Sequence, residues 1–167
     1  MSVAEHRAHA PARVDCFVLT VSDTRTLDTE TSGRAIADLL VAAGHAVVGR
    51  TLVRDDPADV TRVVRERIDA GDARAIITTG GTGIARRDST YEALTSLFDK
   101  RLDGFGELFR MLSYEQIGSA AMLSRACAGL VAGRIVVALP GSENAVRLAM
   151  ERLLIPELGH LVHEASR

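Results

Sequence analysis

The hydrophobic pattern along the chain alternates between short apolar runs and stretches with helical spacing. The apolar runs are rich in β-branched residues and cover residues 15–21, 45–53, 73–79 and 134–139. Runs of this kind are typical of strands buried on both faces of a parallel sheet. Between them, apolar residues recur at helical intervals, as at Ile36, Leu39, Leu40 and Ala43. The pattern therefore predicts an α/β fold, a doubly wound, mostly parallel sheet with helices on both faces.

The remaining helices are predicted from periodicity and from their boundary residues. Pro57 suits the first turn of a helix that Gly71 ends. Further helices are expected near residues 90–98, 105–117, 119–128, 143–154 and 156–165. Residues 1–13 show no periodicity, so we predict a flexible N-terminal tail. A length of 167 residues suits one domain, which we place over residues 14–167.

Composition and charge argue against several classes of protein function. The chain carries 22 acidic and 20 basic residues, a formal charge of −2, whereas a general nucleic-acid binder is expected to have a clear basic excess. Its two cysteines, Cys16 and Cys127, are too few for a disulfide scaffold or a four-cysteine zinc site. The N-terminus has no apolar signal segment, and no apolar run reaches the roughly 18 residues of a membrane span. We expect a cytoplasmic protein without a membrane or nucleic-acid partner.

Small and polar residues follow three of the predicted strands. These loops contain Ser22 and Asp23, then residues 79–83, then Pro140, Gly141 and Ser142. Loops after parallel strands share one edge of the sheet, where ligands of open α/β sheets bind. Glycine lets backbone amides converge on an anion, so the loops predict a phosphate cradle. The alternative is that each loop is only a tight strand-to-helix turn. Neither the Walker A nor the dinucleotide-binding spacing is present.

Aspartates beside these loops are candidate magnesium ligands. Asp55, Asp56 and Asp88 lie near the predicted cradle, and Mg²⁺ prefers a few carboxylates together with substrate phosphates. Asp56 and Asp88 each also precede a predicted helix, so N-capping is an alternative role that does not exclude metal binding. His160 and His163 lie three residues apart, a spacing that allows metal binding, but we interpret them as surface residues of a helix.

Several motifs in a fixed order carry a family resemblance. TVSDTRT, ITTGGTGIARRDST, DGFGELFRMLSYEQIG, LSRACAG and ALPGS together resemble the MoaB/Mog family of molybdenum cofactor biosynthesis, over about residues 14–154. The resemblance implies a molybdopterin-binding α/β domain. It further implies an adenylyltransferase that transfers AMP from Mg-ATP to the terminal phosphate of molybdopterin. Homotrimers, or higher assemblies of trimers, are the implied quaternary structure.

The resemblance also implies site residues. Asp56 and Asp88 match the family's catalytic, Mg²⁺-binding acids, and Arg110 and Arg125 are expected to dock the substrate. The matched substrate- and nucleotide-binding positions are Ser22, Asp23, Thr79, Gly80, Gly81, Thr82, Gly83, Gly104, Phe105, Gly106, Glu107, Arg110, Ser113, Ser124, Arg125, Pro140, Gly141 and Ser142.

Two further interpretations stay open beside the enzyme. Tyr91 stands where many members have proline, and the FRMLS and SRA wording is closer to the MoaB branch. Since not every MoaB-type protein is an active adenylyltransferase, a non-catalytic molybdopterin-binding or assembly protein is the alternative. A generic flavodoxin-like mononucleotide binder is a third possibility.

Overall fold

The strands form a single six-stranded sheet with the order β2-β1-β3-β6-β5-β4. The computed structural model describes residues 2–167. The strands are β1 (Asp15–Val21), β2 (Ala46–Val53), β3 (Ala75–Thr79), β4 (Lys100–Arg101), β5 (Cys127–Val131) and β6 (Arg134–Leu139). Strands β2, β1, β3 and β6 are parallel, and β5 and β4 extend the sheet antiparallel. The predicted α/β fold with a mostly parallel sheet is confirmed.

Within residues 2–167, seven α-helices connect or flank the strands. They are α1 (Val3–Ala8), α2 (Ser32–Ala42), α3 (Pro57–Ala70), α4 (Thr90–Thr95), α5 (Asp103–Ile117), α6 (Glu143–Ala149) and α7 (Ile155–Ala165). A 3₁₀-helix over Gly118–Leu123 follows α5, and a π-helical turn over Met150–Leu154 joins α6 to α7. Pro156 lies just beyond that turn. Because proline lacks the amide hydrogen that a regular helix needs, the wider turn accommodates it within a continuous helical path.

The sheet separates two hydrophobic cores, because successive strand residues point to opposite faces. Cys16 and Val18 of β1 face the core formed with α2, α5, α6 and α7. Phe17 and Leu19 face the core formed with α3 and α4. Over residues 2–167, no helix is long and apolar enough to cross a membrane.

The helix predicted over residues 119–128 is wrong. The structure has the 3₁₀-helix up to Leu123 and then strand β5, which forms a hairpin with β6. The hairpin turns at Ala132 and Gly133, whose φ angles are 48° and 73°. Positive φ at both central residues is typical of tight β-hairpin turns. The apolar run before Gly133 therefore forms a strand, and its short length is typical of a strand rather than of a helix.

Helix α1 lies within the segment predicted as a flexible N-terminal tail. Ser2 and Glu5 form a capping box that begins this helix. Arg7 pairs with Glu157 of α7, and the chain after α1 passes so close that a Cβ at Gly159 would overlap the carbonyl oxygen of Pro11. Partners for residues 2–11 thus come from the far end of the sequence, where local periodicity gives no signal.

Gly159→Ala is expected to release the N-terminal segment from α7. Alanine favours a helix interior by about 1 kcal/mol over glycine, but the added methyl group must displace the Pro11 carbonyl. We expect lower thermal stability and faster trypsin cleavage after Arg7 and Arg13, measured by digestion and mass spectrometry. Gly104→Ala in α5, where a Cβ meets nothing within 4 Å, is the matched control. Equal cleavage of both variants would contradict the proposed close approach.

Candidate functional site

Three loops meet at the carboxyl edge of the neighbouring strands β1, β3 and β6. The Gly80 amide donates to the carbonyl of Leu139 at 3.0 Å. The Thr79 hydroxyl donates to the carbonyl of Pro140 at 2.8 Å. A Cβ at Gly141 would lie 3.6 Å from the Cα of Gly80. The structure therefore brings the glycine loop and the Pro140–Gly141 turn together.

Glycine is required at two positions of this loop. Gly80 and Gly81 have φ angles of 101° and 70°, a conformation that side chains disfavour. A Cβ at Gly80 would also overlap the carbonyl oxygen of Val21, at the end of β1. A Cβ at Gly81 would overlap the hydroxyl oxygen of Thr90. The backbone of the loop is thus packed directly against its neighbours.

A first pocket opens between the β1, β3 and β6 loops and α2, and we call it the hydroxyl pocket. It is lined by Thr20, Val21, Ser22, Thr24, Arg25, Glu30, Thr31, Ser32, Thr79, Gly80 and Gly141. Glu30 is buried, pairs with Arg50, and accepts a hydrogen bond from the Gly33 amide at 2.7 Å. Its charge is thereby balanced, and it orders the start of α2. The hydroxyl groups of the pocket suit a polar, hydrogen-bonding ligand.

A second pocket adjoins the first, and we call it the aspartate pocket. It is lined by Val21, Ser22, Asp23, Thr24, Asp55, Gly81, Arg87 and Asp88. Asp55 accepts hydrogen bonds from the amide and hydroxyl of Ser89, at 3.2 and 2.7 Å. The Asp55 amide donates to an Asp23 carboxylate oxygen at 3.2 Å. These contacts connect the loops that follow β1, β2 and β3.

Asp56, which the sequence suggested as a magnesium ligand, has a different position from its neighbour. Its carboxylate caps α3, accepting from the amides of Ala58 at 2.8 Å and Asp59 at 3.4 Å. It is exposed and lines neither pocket. The capping alternative thus describes Asp56, and the acid that reaches the pocket is Asp55. Of the two neighbouring aspartates, the structure therefore favours Asp55 as the candidate magnesium ligand.

Asp88 lies in the aspartate pocket. Its carboxylate accepts a hydrogen bond from the Ala85 amide at 2.9 Å, within the loop after the glycines. The residue at the N-cap of α4 is Ser89. Capping therefore does not account for Asp88, and its second carboxylate oxygen has no hydrogen bond within residues 2–167.

The donor set of the aspartate pocket fits a magnesium ion bound together with a phosphate. Mg²⁺ is usually held by one or two carboxylates plus water and substrate phosphates. Asp23, Asp55 and Asp88 supply such carboxylates. Among the described residues these acids do not form a tight three-ligand group, so they are not an all-protein cage. Asp23 also pairs with Arg87, whose largely exposed side chain can exchange this partner for a phosphate oxygen.

Arg125 is placed behind the glycine loop rather than in either pocket. Its guanidinium donates to the carbonyls of Thr82 at 3.2 Å and Gly83 at 2.6 Å, and it pairs with Glu92. The hydrogen bond from Arg125 lowers the pKa of the Glu92 carboxyl. The Arg125 guanidinium also lies 4.9 Å from the centre of the Tyr91 ring. Its donors are engaged within the chain, so the contacts favour a role in positioning the loop, with Tyr91 and Glu92 as partners that the sequence pattern does not indicate.

Arg125→Lys is expected to loosen the glycine loop. Lysine keeps the charge but lacks the planar fork that reaches two carbonyls and a carboxylate together. Lost charge-assisted hydrogen bonds predict about 1.5–3 kcal/mol less stability, measured by urea unfolding. Hydrogen exchange at residues 82–88 should also become faster. Arg62→Lys on the surface of α3, where Arg62 pairs with Asp59 and Glu66, should change stability by less than about 0.5 kcal/mol. Equal effects of both substitutions would contradict the positioning role.

The residues matched to the GFGE motif lie outside both the hydroxyl pocket and the aspartate pocket. Arg110 donates to the carbonyl of Ala126 at 3.2 Å and packs beside Gly106. Both line a separate small pocket with Tyr91 and Arg101. Of the other matched residues in this region, Gly104 and Glu107 are exposed, and Phe105 stacks on Phe109. Ser113 is buried and Ser124 is half-buried. Ser142 begins α6 by accepting a hydrogen bond from the Ala145 amide.

An apolar surface runs along α5 and the 3₁₀-helix after it. We call it the α5 face, and it consists of the exposed residues Leu108, Met111, Tyr114, Ile117, Met122 and Leu123. Contiguous exposed apolar residues mark interaction surfaces. The residues of the GFGE motif lie on the same helix.

Comparison with known proteins finds relatives that match most of the chain. The family described as "Probable molybdopterin binding domain" matches residues 17–160. "Molybdenum cofactor biosynthesis protein B" of Bacillus cereus is 49% identical over 168 residues, covering 100% of this chain and 99% of the relative. A crystal structure of a molybdenum cofactor biosynthesis protein B has a TM-score of 0.91 at 48% identity, covering 95% of this chain and 99% of that one. The tungsten cofactor synthesizing protein MoaB from Pyrococcus furiosus has a TM-score of 0.84 at 40% identity, covering 95% and 100%.

Proposed function

Because the chain belongs to the family of probable molybdopterin-binding domains and is similar to molybdenum cofactor biosynthesis protein B, we propose that it acts in molybdenum cofactor biosynthesis as a molybdopterin adenylyltransferase. In this proposal AMP passes from Mg-ATP to the terminal phosphate of molybdopterin. The observation that carries the proposal is the convergence of Gly81 with the carboxylates of Asp55 and Asp88 in one pocket.

The proposed transfer needs no nucleophilic side chain. A phosphate oxygen of molybdopterin attacks the α-phosphorus of ATP, and the bond from that phosphorus to the bridging oxygen breaks. Pyrophosphate leaves with the electron pair. Positioning and charge stabilisation dominate phosphoryl-type transfers. The pockets accordingly contain backbone amides, hydroxyls and carboxylates.

Each group of the site has a role in the proposal. Asp55 and Asp88 would hold Mg²⁺, which supplies positive charge that neutralises the triphosphate. The backbone of Gly80 and Gly81 approaches phosphate oxygens closely, where no side chain intervenes. The hydroxyl pocket, with Ser22 and Thr79, would accept polar groups of the substrates. Arg87 on the rim pairs with a phosphate after leaving Asp23.

The α5 face supports the further proposal of a homotrimer or a higher assembly of trimers. We expect Met111→Asp, at an exposed position of this face, to shift the chain to a monomer in light scattering. A buried carboxylate opposes association strongly because removing its charge from water is costly. Arg65→Asp, at an exposed position of α3 on the opposite side of the sheet, is the control. A trimer that persists in Met111→Asp would contradict assembly through the α5 face.

The test of the proposed function is an adenylylation assay. Purified chain is incubated with molybdopterin, ATP and Mg²⁺, and the pterin products are separated and identified by mass spectrometry. We expect a product heavier by one AMP group, with pyrophosphate released in equal amount. Binding of molybdopterin without this product would contradict the proposed adenylyltransferase activity and indicate a non-catalytic molybdopterin-binding protein with the same fold.

A further inference from the structure

Four histidines gather where helix α1 lies on α7. His6 and His160 have ring centres 5.9 Å apart, and the rings of His9 and His163 stack at 6.4 Å. Two of these residues come from the first ten residues of the chain and two from its last helix. None of them lines the hydroxyl or the aspartate pocket. The proposed adenylyl transfer leaves this cluster without a role.

Three residues of the cluster offer ligand atoms that lie close together. One nitrogen each of His6 and His163 and a carboxylate oxygen of Glu164 all lie within 4.8 Å of one another. Over residues 2–167, no other group of three such side chains meets this distance. Two imidazole nitrogens and one carboxylate oxygen form a ligand set that zinc uses in proteins.

Helix α1 itself makes few contacts that stabilise its position on α7. It is six residues long and has no buried residue, whereas isolated helices of this length are unstable in water. Its contacts with α7 include two ion pairs, His6 with Glu164 and Arg7 with Glu157. Exposed ion pairs contribute only about 0–1 kcal/mol each. A metal ion shared by the two helices would supply the missing attachment.

We propose that His6, His163 and Glu164 bind a Zn²⁺ ion that fastens α1 to α7. With zinc bonds of about 2.0–2.2 Å, tetrahedral ligand atoms lie about 3.3–3.6 Å apart. The side chains reach this spacing by small rotations, since His6 and Glu164 are already in contact and partly exposed. The Glu157 carboxylate bonds Nδ1 of the neighbouring His160 at 3.0 Å, which holds that ring beside the site.

The cysteines do not compete for zinc. Cys16 and Cys127 are buried, and burial raises the pKa of their thiols to about 12 and about 11. Zinc binds thiolates rather than thiols, so both cysteines stay protonated at neutral pH. The acids of the aspartate pocket are a second possible zinc site, and excess Mg²⁺ in the experiment competes with zinc for them by mass action.

The test is a zinc titration of the full-length, tag-free chain in excess Mg²⁺, against a chromophoric chelator. We expect one Zn²⁺ per chain with micromolar affinity or better. Second-shell changes alone typically weaken metal sites about 10–100-fold, so His6→Ala and His163→Ala should each weaken binding at least about tenfold. His45→Gln is the control, since His45 is the one histidine outside the cluster and accepts from the Val14 amide at 3.1 Å.

A second measurement follows the attachment itself. Zinc should slow trypsin cleavage after Arg7 and Arg13 in the wild-type chain and leave the cleavage of His6→Ala unchanged. Zinc binding weaker than micromolar in the wild type would overturn the proposal. So would unchanged affinity in His6→Ala, or loss of zinc in Asp88→Asn instead. Because neither set of variants touches the other site, failure of this proposal leaves the adenylyltransferase proposal untouched.

Discussion

Asp55→Asn is expected to lower the rate of molybdopterin adenylylation about 10²–10³-fold, the loss typical when a group that stabilises transition-state charge is removed. Asparagine keeps an oxygen that can accept from the amide and hydroxyl of Ser89, at 3.2 and 2.7 Å in the structure. The fold should therefore remain, with a melting temperature close to that of the wild type. Asp88→Asn should reduce the rate to a similar extent, because its carboxylate faces the same pocket. The rates are measured in the adenylylation assay at saturating Mg-ATP.

Asp56→Asn is the matched control for this prediction. Asp56 is the adjacent acid, but its carboxylate caps α3, and asparagine caps helices about as well. We expect nearly full activity and stability. An active Asp55→Asn variant combined with an inactive Asp56→Asn variant would reverse the assignment that the structure supports.

Gly80→Ala is expected to destabilise the protein by about 3 kcal/mol or more, combining a disfavoured backbone conformation with a steric clash. An unfavourable positive φ costs about 1–2 kcal/mol in a residue with a side chain, and φ at Gly80 is 101°. The added methyl group would also overlap the carbonyl oxygen of Val21. Relief of the overlap must separate the glycine loop from the end of β1. Equilibrium urea unfolding measures the loss.

Gly44→Ala separates the two contributions. Gly44 has a φ of 88°, close to that of Gly80, but a Cβ there meets nothing within 4 Å. We expect only the backbone cost of about 1–2 kcal/mol. If Gly80→Ala proved no more destabilising than Gly44→Ala, the close packing of the glycine loop against β1 would be disproved.

The sequence was most informative where local pattern and burial agree. Strand β1 and strand β6 are continuous apolar runs with both neighbours in the sheet, so their burial on two faces is visible in the residues themselves. Helix α3 begins at Pro57 and ends before Gly71, as its boundary residues indicate. The meeting of the loops after β1, β3 and β6 followed from the parallel order of these strands.

Other features of the site and of the N-terminus depend on information that does not lie in adjacent residues. Asp55 and Asp56 are chemically identical, and only the start of α3 determines which carboxylate caps the helix and which faces the pocket. Arg125 was matched to the substrate pocket by the family resemblance, and its partners Thr82 and Gly83 lie more than forty residues away in sequence. Helix α1 depends on Glu157 and Glu164 of the last helix. Tertiary contacts decide each of these cases.

The most direct measurement is a crystal structure of the chain with Mg²⁺ and a non-hydrolysable ATP analogue. The account predicts that the triphosphate lies against the backbone of Gly80 and Gly81, with the metal ion between the carboxylates of Asp55 and Asp88. A nucleotide bound away from this loop, or a metal ion held by Asp56, would contradict it.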